Sequence, residues 1–343
     1  MEQQVVRLCF SVLILAKTLI SSPVPTILDT DIGTDYDDQM ALSFILSNPD
    51  GFDLKLVVCS TFNTTARAQI VAKTLAIYGR YNVPIAIGRN TGVSTMGEYE
   101  WAQNYTLEQF KNEGGTVYEN GEDALYNELQ KATPDNIYHL IEISPETSVG
   151  DVLQRLKPEI TKNIRLFAMA GSIYRGYGNS SQPSKEYNVY IDIPAAKAMF
   201  NASWAYFGLA PLDTTIFLQF NGPVWQQFLS YRNKNKHVQL ILDSYTTWYN
   251  NGGKGAGALQ PFSPDIGTST MYDVLAAILS LYYPKTITMI SRQLPLVVTD
   301  DGYTRINATQ GQPVQSAVSF QSENPYNSTS MLAVVALYSI IFS

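Results

Sequence analysis

Short apolar segments alternate with segments of helical periodicity along most of this 343-residue chain. The apolar segments are TILDT (26–30), LKLVVCS (54–60), VPIAIG (83–88), IYHLIEI (137–143), IRLFAMAG (164–171) and WAYFGLA (204–210). Apolar residues recur at helical spacing in DDQMALSFILSNP (37–49), TARAQIVAKTLAIYGRY (65–81), VGDVLQRLKPEI (149–160) and IPAAKAMFNA (193–202). Because such alternation is typical of parallel sheets with crossover helices, the sequence predicts an α/β fold. We expect a mainly parallel, Rossmann-like central sheet with helices on both faces.

The N-terminus has the pattern of an export signal. MEQQVVR ends in a positive charge, LCFSVLILA is apolar, and LISSP supplies small residues before the first predicted strand. Asn-X-Ser/Thr glycosylation acceptors support export, and they begin at Asn63, Asn104, Asn179, Asn201, Asn307 and Asn327. The sequence therefore predicts a signal peptide over residues 1–22 and a single domain over 23–343, in a secreted or cell-surface glycoprotein.

The last thirteen residues, MLAVVALYSIIFS (331–343), carry no charge. Two interpretations stay open. The favoured one is a closing helix buried against the sheet. The other is a lipid-anchor signal, which is the only route by which we expect this chain to reach a membrane.

Charge and composition exclude several classes of function. The net charge of −7 and the pI of about 4.9 argue against nucleic acid or an anionic membrane surface as a partner. The two cysteines are Cys9, in the predicted leader, and Cys59, so neither a disulfide nor a thiolate metal site is expected. With only His139 and His237 available, a histidine-rich zinc site is also excluded.

An acidic cluster follows the first predicted strand, in TILDTDIGTDYDDQMAL (26–42). Its carboxylates belong to Asp29, Asp31, Asp35, Asp37 and Asp38. Strand side chains alternate, so Asp29 and Asp31 point the same way. Asp37 and Asp38 fall in the first turn of a predicted helix, where the helix dipole favours negative charge. A hard divalent cation such as Ca²⁺ would offset the repulsion between these groups.

The acidic cluster has three alternative interpretations besides this cation site. A solvated acidic helix start needs no ion, but it does not account for so many acids after an apolar strand. An EF-hand loop fails on spacing. An aspartyl phosphotransferase is a stronger alternative, because DTDIG after a strand resembles the haloacid-dehalogenase opening. That chemistry needs a second acidic pair, whereas MYDV (271–274) supplies one aspartate.

Three segments in order resemble the calcium-dependent nucleoside hydrolases. ILDTDIGTDYDDQMAL is similar to the family signature D-x-D-P-G-x-D-D-A-x-A-L, with Ile32 in place of the proline and two extra residues before the Asp-Asp pair. MAGSIYRGYGNSSQPSKEYNVYIDIPAA (169–196) and MYDVLAAI (271–278) resemble the two later motifs. The resemblance runs from about residue 25 to the end of the chain and implies hydrolysis of ribonucleosides to ribose and free base.

The resemblance also implies roles for individual residues. Ca²⁺ would be bound by Asp29, Asp31, Asp38, Asp273 and a backbone carbonyl at Pro145 or Ser144. Asp31 matches the general base that accepts a proton from the attacking water. Substrate-binding positions are matched by Asp37, Asn179, Glu186, Asn188 and Tyr272. A ribonucleoside would be the small-molecule partner, and a homo-oligomer is common in the family.

The leaving base is where the sequence departs most from the family. Some members carry a histidine proton donor where this chain has Tyr272. Other members hold a purine between aromatic rings, for which Tyr99, Trp101, Trp225, Trp248 and Tyr249 are candidates that we do not assign. Because of Tyr272 and the two-residue insertion, a non-catalytic protein that binds nucleoside or Ca²⁺ on the same fold is the alternative to an N-ribohydrolase.

Overall fold

A computed structural model describes residues 22–255, 260–285 and 288–343. Residues 1–21 of the predicted signal peptide lie outside this range. The strands are β1 (Val24–Thr30), β2 (Phe52–Cys59), β3 (Ile85–Ile87), β4 (Val117–Tyr118), β5 (Tyr138–Ile143), β6 (Ile164–Met169), β7 (Tyr206–Ala210), β8 (Gln219–Asn221), β9 (Gly267–Thr270), β10 (Met289–Val298), β11 (Thr304–Ile306) and β12 (Gln312–Phe320).

The helices occur mainly between the strands. They are α1 (Asp37–Leu46), α2 (Thr64–Tyr78), α3 (Tyr99–Ala102), α4 (Leu107–Asn112), α5 (Gly121–Leu129), α6 (Thr147–Leu153), α7 (Pro158–Thr161), α8 (Tyr187–Ile191), α9 (Ile193–Asn201), α10 (Leu212–Thr215), α11 (Gly222–Leu229), α12 (Lys236–Asn250), α13 (Val274–Tyr282) and α14 (Pro325–Ile341). Short 3₁₀ turns cover Tyr177–Asn179 and Gly253–Gly255.

Ten strands of the described residues form one sheet, in the order β11-β10-β12-β7-β6-β5-β1-β2-β3-β4. Strand β10 runs antiparallel to β11 and β12, and the other pairings are parallel. The chain moves outward from β1 to β4 and then returns to place β5 on the other side of β1. The crevice at this β1/β5 switch point is where such sheets bind ligands.

Alternate side chains of the sheet enter separate apolar cores on its two faces. Leu28 packs with α1, α2, α12, α13 and α14, whereas its neighbour Ile27 packs with α5, α6 and α9. Ile141 and Leu140 on β5 divide in the same way. The predicted α/β fold, with a mainly parallel sheet and helices on both faces, is confirmed.

The C-terminal segment forms most of α14. Its side chains Leu332, Val335, Leu337 and Ile340 are buried in the core that α1 also lines. Within the described residues, every helix is too short or too polar to cross a membrane.

Candidate active site

The acidic cluster lies at the carboxyl end of β1, beside the switch point. Thr30 ends β1, Asp37 and Asp38 begin α1, and Asp273 directly precedes α13. The three aspartates line a cavity of about 300 Å³. The cavity is lined by Asp31, Thr34, Asp35, Asp37, Asp38, Ile143, Met169, Tyr177, Lys185, Glu186, Tyr187, Asn188, Tyr190, Tyr272 and Asp273.

Asp37, Asp38 and Asp273 form a compact carboxylate trio. One oxygen from each lies within 4.8 Å of the others, and all three side chains are buried. Burial raises the pKa of each well above the usual range, and the charges of acidic neighbours raise it further. Asp37 Oδ1 is buried without a hydrogen-bond partner. A hard divalent cation fits this trio, since it would supply the missing positive charge and a partner for the free oxygen.

Asp29 is fully buried near the end of β1 and is not among the residues that line the cavity. Its Oδ1 accepts a hydrogen bond from Ser60 and lies 3.4 Å from Ser144 Oγ, and its Oδ2 is buried without a partner. Burial, and secondarily the charge of Glu122, raise the pKa of Asp29 to about 7. Of the predicted metal ligands, the structure brings together Asp38 and Asp273, Asp31 also lines the cavity, and Asp29 lies outside that lining.

A buried arginine that the sequence analysis did not single out faces Asp31. Arg67 is fully buried on α2, and its Nη2 lies 3.7 Å from Asp31 Oδ2. Its Nε donates to the Thr61 carbonyl at 2.8 Å, and its Nη1 donates to the Ile32 carbonyl at 2.8 Å. Burial raises the pKa of Asp31, and the charge of Arg67 opposes that rise. The sequence signal was an arginine between two alanines in the first turn of a helix at this edge of the sheet.

Glu186 and Asn188 are held rigidly on the cavity wall. Glu186 Oε2 accepts from the Gly171 amide at 2.9 Å, and its Oε1 accepts from the Asn188 amide at 2.8 Å. Burial raises the pKa of Glu186 to about 7, against the lowering effect of these amides. Asn188 Nδ2 donates to the Met169 carbonyl at 3.0 Å. Their carboxylate and amide oxygens are positioned to bind hydroxyl groups of a ligand.

Two predicted site residues lie away from the cavity lining. Asn179 is exposed, and its Oδ1 accepts from Arg175 Nη1 at 2.8 Å. Pro145 is buried in the connection between β5 and α6. Asp35, in the insertion, is exposed and lines the cavity.

The aromatic lining comes from tyrosines that the sequence analysis had not assigned, apart from Tyr272. Tyr177 and Tyr272 contact edge to face, with ring centroids 6.2 Å apart. Tyr187 and Tyr190 complete the lining. Trp225 and Trp248, two earlier candidates, are buried in the core instead.

Additional buried acids lie around Asp29. Glu142 on β5 accepts from Ser144 Oγ at 2.8 Å, and Glu146 follows in a left-handed conformation with φ of 56°. Both carboxyl groups are fully buried, which raises the pKa of each well above its ordinary value. Two glutamates in the apolar stretch IYHLIEISPETS were the available sequence signal.

Comparisons with known proteins agree with this geometry. The chain is 28% identical over 241 residues to the pyrimidine-specific ribonucleoside hydrolase RihA of Salmonella dublin, covering 66% of this chain and 72% of that protein. The solved inosine-uridine preferring nucleoside hydrolase from Bacillus anthracis superposes with a TM-score of 0.62 at 15% identity, covering 91% of this chain and 99% of that one. For an inosine-guanosine nucleoside hydrolase the TM-score is 0.68 at 14% identity, with 92% and 98% covered. At these identities the solved structures show the fold alone.

The family comparison covers nearly the whole described chain. The model of the family described as inosine-uridine preferring nucleoside hydrolase matches residues 26–334. The predicted family is confirmed, and so is the predicted reaction class, N-ribohydrolysis of ribonucleosides. This chain belongs to the inosine-uridine preferring nucleoside hydrolase family.

Proposed function

We propose that this protein is a calcium-dependent N-ribohydrolase that acts outside the cell. The observation that carries the metal assignment is the buried trio of Asp37, Asp38 and Asp273, with one oxygen of each within 4.8 Å. An all-oxygen ligand set of this kind suits Ca²⁺. The positive charge of the bound ion would attract the two ribose hydroxyl oxygens, and the ion would lower the pKa of a bound water molecule.

The protein side chains supply the remaining steps. Asp31 accepts the proton of the attacking water, and Arg67 favours the ionised form of Asp31 that this step requires. Asp37, Glu186 and Asn188 bind ribose hydroxyls from the floor and wall of the cavity. As the C1′–N bond lengthens, the sugar gains oxocarbenium character, which the surrounding carboxylates stabilise.

Export and glycosylation form part of this proposal. The acceptors Asn104, Asn201 and Asn327 are exposed, as glycosylation requires. Asn179 is also exposed, so it is accessible as an acceptor, whereas the predicted ribose contact would require it to stay unmodified. Mass spectrometry of protein secreted by eukaryotic cells, before and after deglycosylation, tests these sites. Homo-oligomerisation stays a prediction, which light scattering of the purified protein tests.

A nucleoside panel tests the catalytic proposal. We expect release of base from uridine, cytidine, inosine or adenosine, loss of that activity with a chelator, and recovery with Ca²⁺ but not with an equal concentration of Mg²⁺. The pyrimidine nucleosides are included because RihA is described as pyrimidine-specific. Tight nucleoside binding without base release would favour the non-catalytic alternative. Magnesium dependence with a phosphorylated aspartate would favour the phosphotransferase.

A further inference from the structure

The cavity has a buried floor and an exposed mouth. Asp31, Asp37, Asp38, Glu186, Asn188 and Asp273, the residues assigned to water, metal and ribose, are all at most 6% exposed. Asp35, Lys185, Tyr187 and Tyr190 are exposed, and Tyr177 and Tyr272 are half-buried. A ribonucleoside with its sugar on the floor therefore places its base against the mouth residues.

The mouth offers no imidazole to protonate a departing base. The sequence has two histidines, and the structure describes both. His139 lies on β5, where its Nδ1 is 2.9 Å from Ser280 Oγ, and His237 lies on α12, where its Nδ1 is 2.8 Å from Ser343 Oγ. Neither lines the cavity. A free phenol has a pKa near 10, and burial raises the pKa of Tyr177, Tyr187 and Tyr272 further, so these side chains are weak proton donors at neutral pH.

The same mouth is suited to a cation. The Tyr177 and Tyr272 rings meet at an interplanar angle of 80°, and the exposed Asp35 lines the same cavity. Aromatic faces next to a carboxylate attract positive charge. Among the described residues of the lining, the basic side chain is Lys185, which lies over Tyr190 at 5.2 Å and Tyr303 at 5.5 Å, where its charge acts on Asp301.

The cavity as a whole is also negatively charged. Six acidic residues and one lysine line it, so it remains net negative with one divalent cation bound when these groups are ionised. This field attracts a cationic ligand and opposes formation of an anionic leaving group.

From this mouth we infer that the preferred substrates are ribonucleosides whose base carries a fixed positive charge, such as N-ribosylpyridinium compounds. The inference rests on the proposed ribohydrolase function and specifies its substrate class. When the C1′–N bond breaks, its electron pair neutralises the ring nitrogen and the base leaves as a neutral molecule. Water forms the new C1′–O bond and gives its proton to the Asp31 carboxylate. The leaving group needs no proton, which matches a mouth without an efficient acid.

The test compares kcat/KM for four substrates with the full-length protein in Ca²⁺ at one fixed, near-neutral pH. Nicotinamide riboside is the cationic probe, and uridine and inosine are the neutral nucleosides. A p-nitrophenyl β-riboside is the neutral probe whose leaving group also needs no protonation. We expect nicotinamide riboside to exceed uridine and inosine by about 100-fold or more, the range that leaving-group protonation is worth.

Substitution of Asp35 separates charge recognition from leaving-group reactivity. Asp35→Asn should lower kcat/KM for nicotinamide riboside by about fivefold to tenfold, mainly through KM, and change that for the p-nitrophenyl riboside less than about twofold. Asp301→Asn makes the same charge change near Lys185, and both substrates should keep their kcat/KM. Thermal unfolding verifies that both variants are folded.

Two results would overturn the inference. One is efficient cleavage of uridine or inosine with no preference for the cation. The other is an Asp35→Asn variant whose kcat/KM falls more for the neutral nucleosides than for nicotinamide riboside, because Asp35 would then be the proton donor. Failure to cleave any of the four substrates would instead contradict the proposed ribohydrolase function.

Discussion

Arg67 and Asp31 form an ion pair at a cavity whose lining includes six acidic residues. The guanidinium is fully buried, and besides pairing with Asp31 it donates hydrogen bonds to the carbonyls of Ile32 and Thr61. Removing one member of a buried pair leaves an uncompensated charge and unpaired polar groups. Arg67 therefore supports both the fold and the charge state of the proposed general base.

Replacement of Arg67 should destabilise the fold. We expect Arg67→Met to lower the free energy of unfolding by about 3–5 kcal/mol, as loss of a buried ion-pair partner does. Urea denaturation measures this. Arg155→Met is the control, because Arg155 pairs with Asp123 at the surface and such a pair is worth at most about 1 kcal/mol. Equal stability of the two variants would contradict the role given to Arg67.

Asp31 should be essential for turnover. Asp31→Asn keeps the shape of the side chain but removes the proton acceptor, so kcat for ribonucleosides should fall by about 10²–10⁴-fold. Circular dichroism should be unchanged, and the exposed control Asp50→Asn should retain wild-type kcat. Unchanged turnover of Asp31→Asn would remove Asp31 from the mechanism.

Glu98 should make stability depend on pH. It is fully buried, and burial raises its pKa well above that of a free glutamate, which the Ser244 hydroxyl only partly offsets. Folding therefore favours the protonated acid, so the contribution of Glu98 is present at low pH and is lost as pH rises through the raised pKa. Glu98→Gln should unfold at higher temperature than wild type near pH 9, and the difference should shrink toward pH 5. A constant difference across that range would contradict it.

At the scale of elements, helix α12 holds the insertion that precedes α1. Tyr36 is buried, and its hydroxyl lies 2.7 Å from the Ile241 carbonyl, 205 residues further along the chain. The same hydroxyl is 2.7 Å from Ser244 Oγ, and Trp248 Nε1 donates to the Thr34 carbonyl at 2.8 Å. The two extra residues therefore form an anchored turn that fixes where α1, with Asp37 and Asp38, begins.

Loss of the Tyr36 hydroxyl should loosen this anchor. Tyr36→Phe leaves the Ile241 carbonyl and Ser244 without that partner, so the free energy of unfolding should fall by about 1–3 kcal/mol. Calcium affinity, measured by isothermal titration, should fall as well. Tyr81→Phe is the control, since its hydroxyl bonds Glu113 at the surface at 2.8 Å. An effect no larger than that of Tyr81→Phe would show that the anchor is dispensable.

Local sequence patterns predicted some elements and missed others for identifiable reasons. Continuous apolar runs correctly predicted the buried strands β1, β2, β5, β6 and β7. The helix predicted over 149–160 is instead split into α6 and α7, because Lys157 before Pro158 is extended, with ψ of 143°. Strands β10 and β12 lie near the sheet edge and mix polar residues and prolines, so no clear periodicity marked them.

At the scale of the whole molecule, the proposed metal centre joins distant parts of the chain. Asp37 and Asp38 come from the start of α1, and Asp273 comes from the start of α13. Motifs could identify these positions, whereas the separation of Asp29 from the trio and the burial of Arg67 depend on how β1, β2 and α2 pack. Local sequence reasoning cannot supply such packing.

Cation binding should therefore stabilise the whole domain. Ca²⁺ binding only to the folded state at 100 times its Kd would add about 2.7 kcal/mol to the free energy of unfolding. Differential scanning calorimetry should show a higher Tm with Ca²⁺ than with chelator, and Asp273→Asn should reduce the difference. Asp265→Asn, an exposed neighbour in sequence, should keep it. A Tm that is independent of Ca²⁺ would contradict Ca²⁺ binding at this site.

The packing of α1 against α13 and α14 also sets an order of events during biosynthesis. A nascent chain displays Asp31, Asp37 and Asp38 on the ribosome long before Asp273 and the last helix have been translated. The carboxylate trio is incomplete until Asp273 has been translated, about four-fifths of the way along the chain, so an ion can bind all three side chains only after that point. The compartment in which that final helix docks thus determines which metal the newly made enzyme meets first.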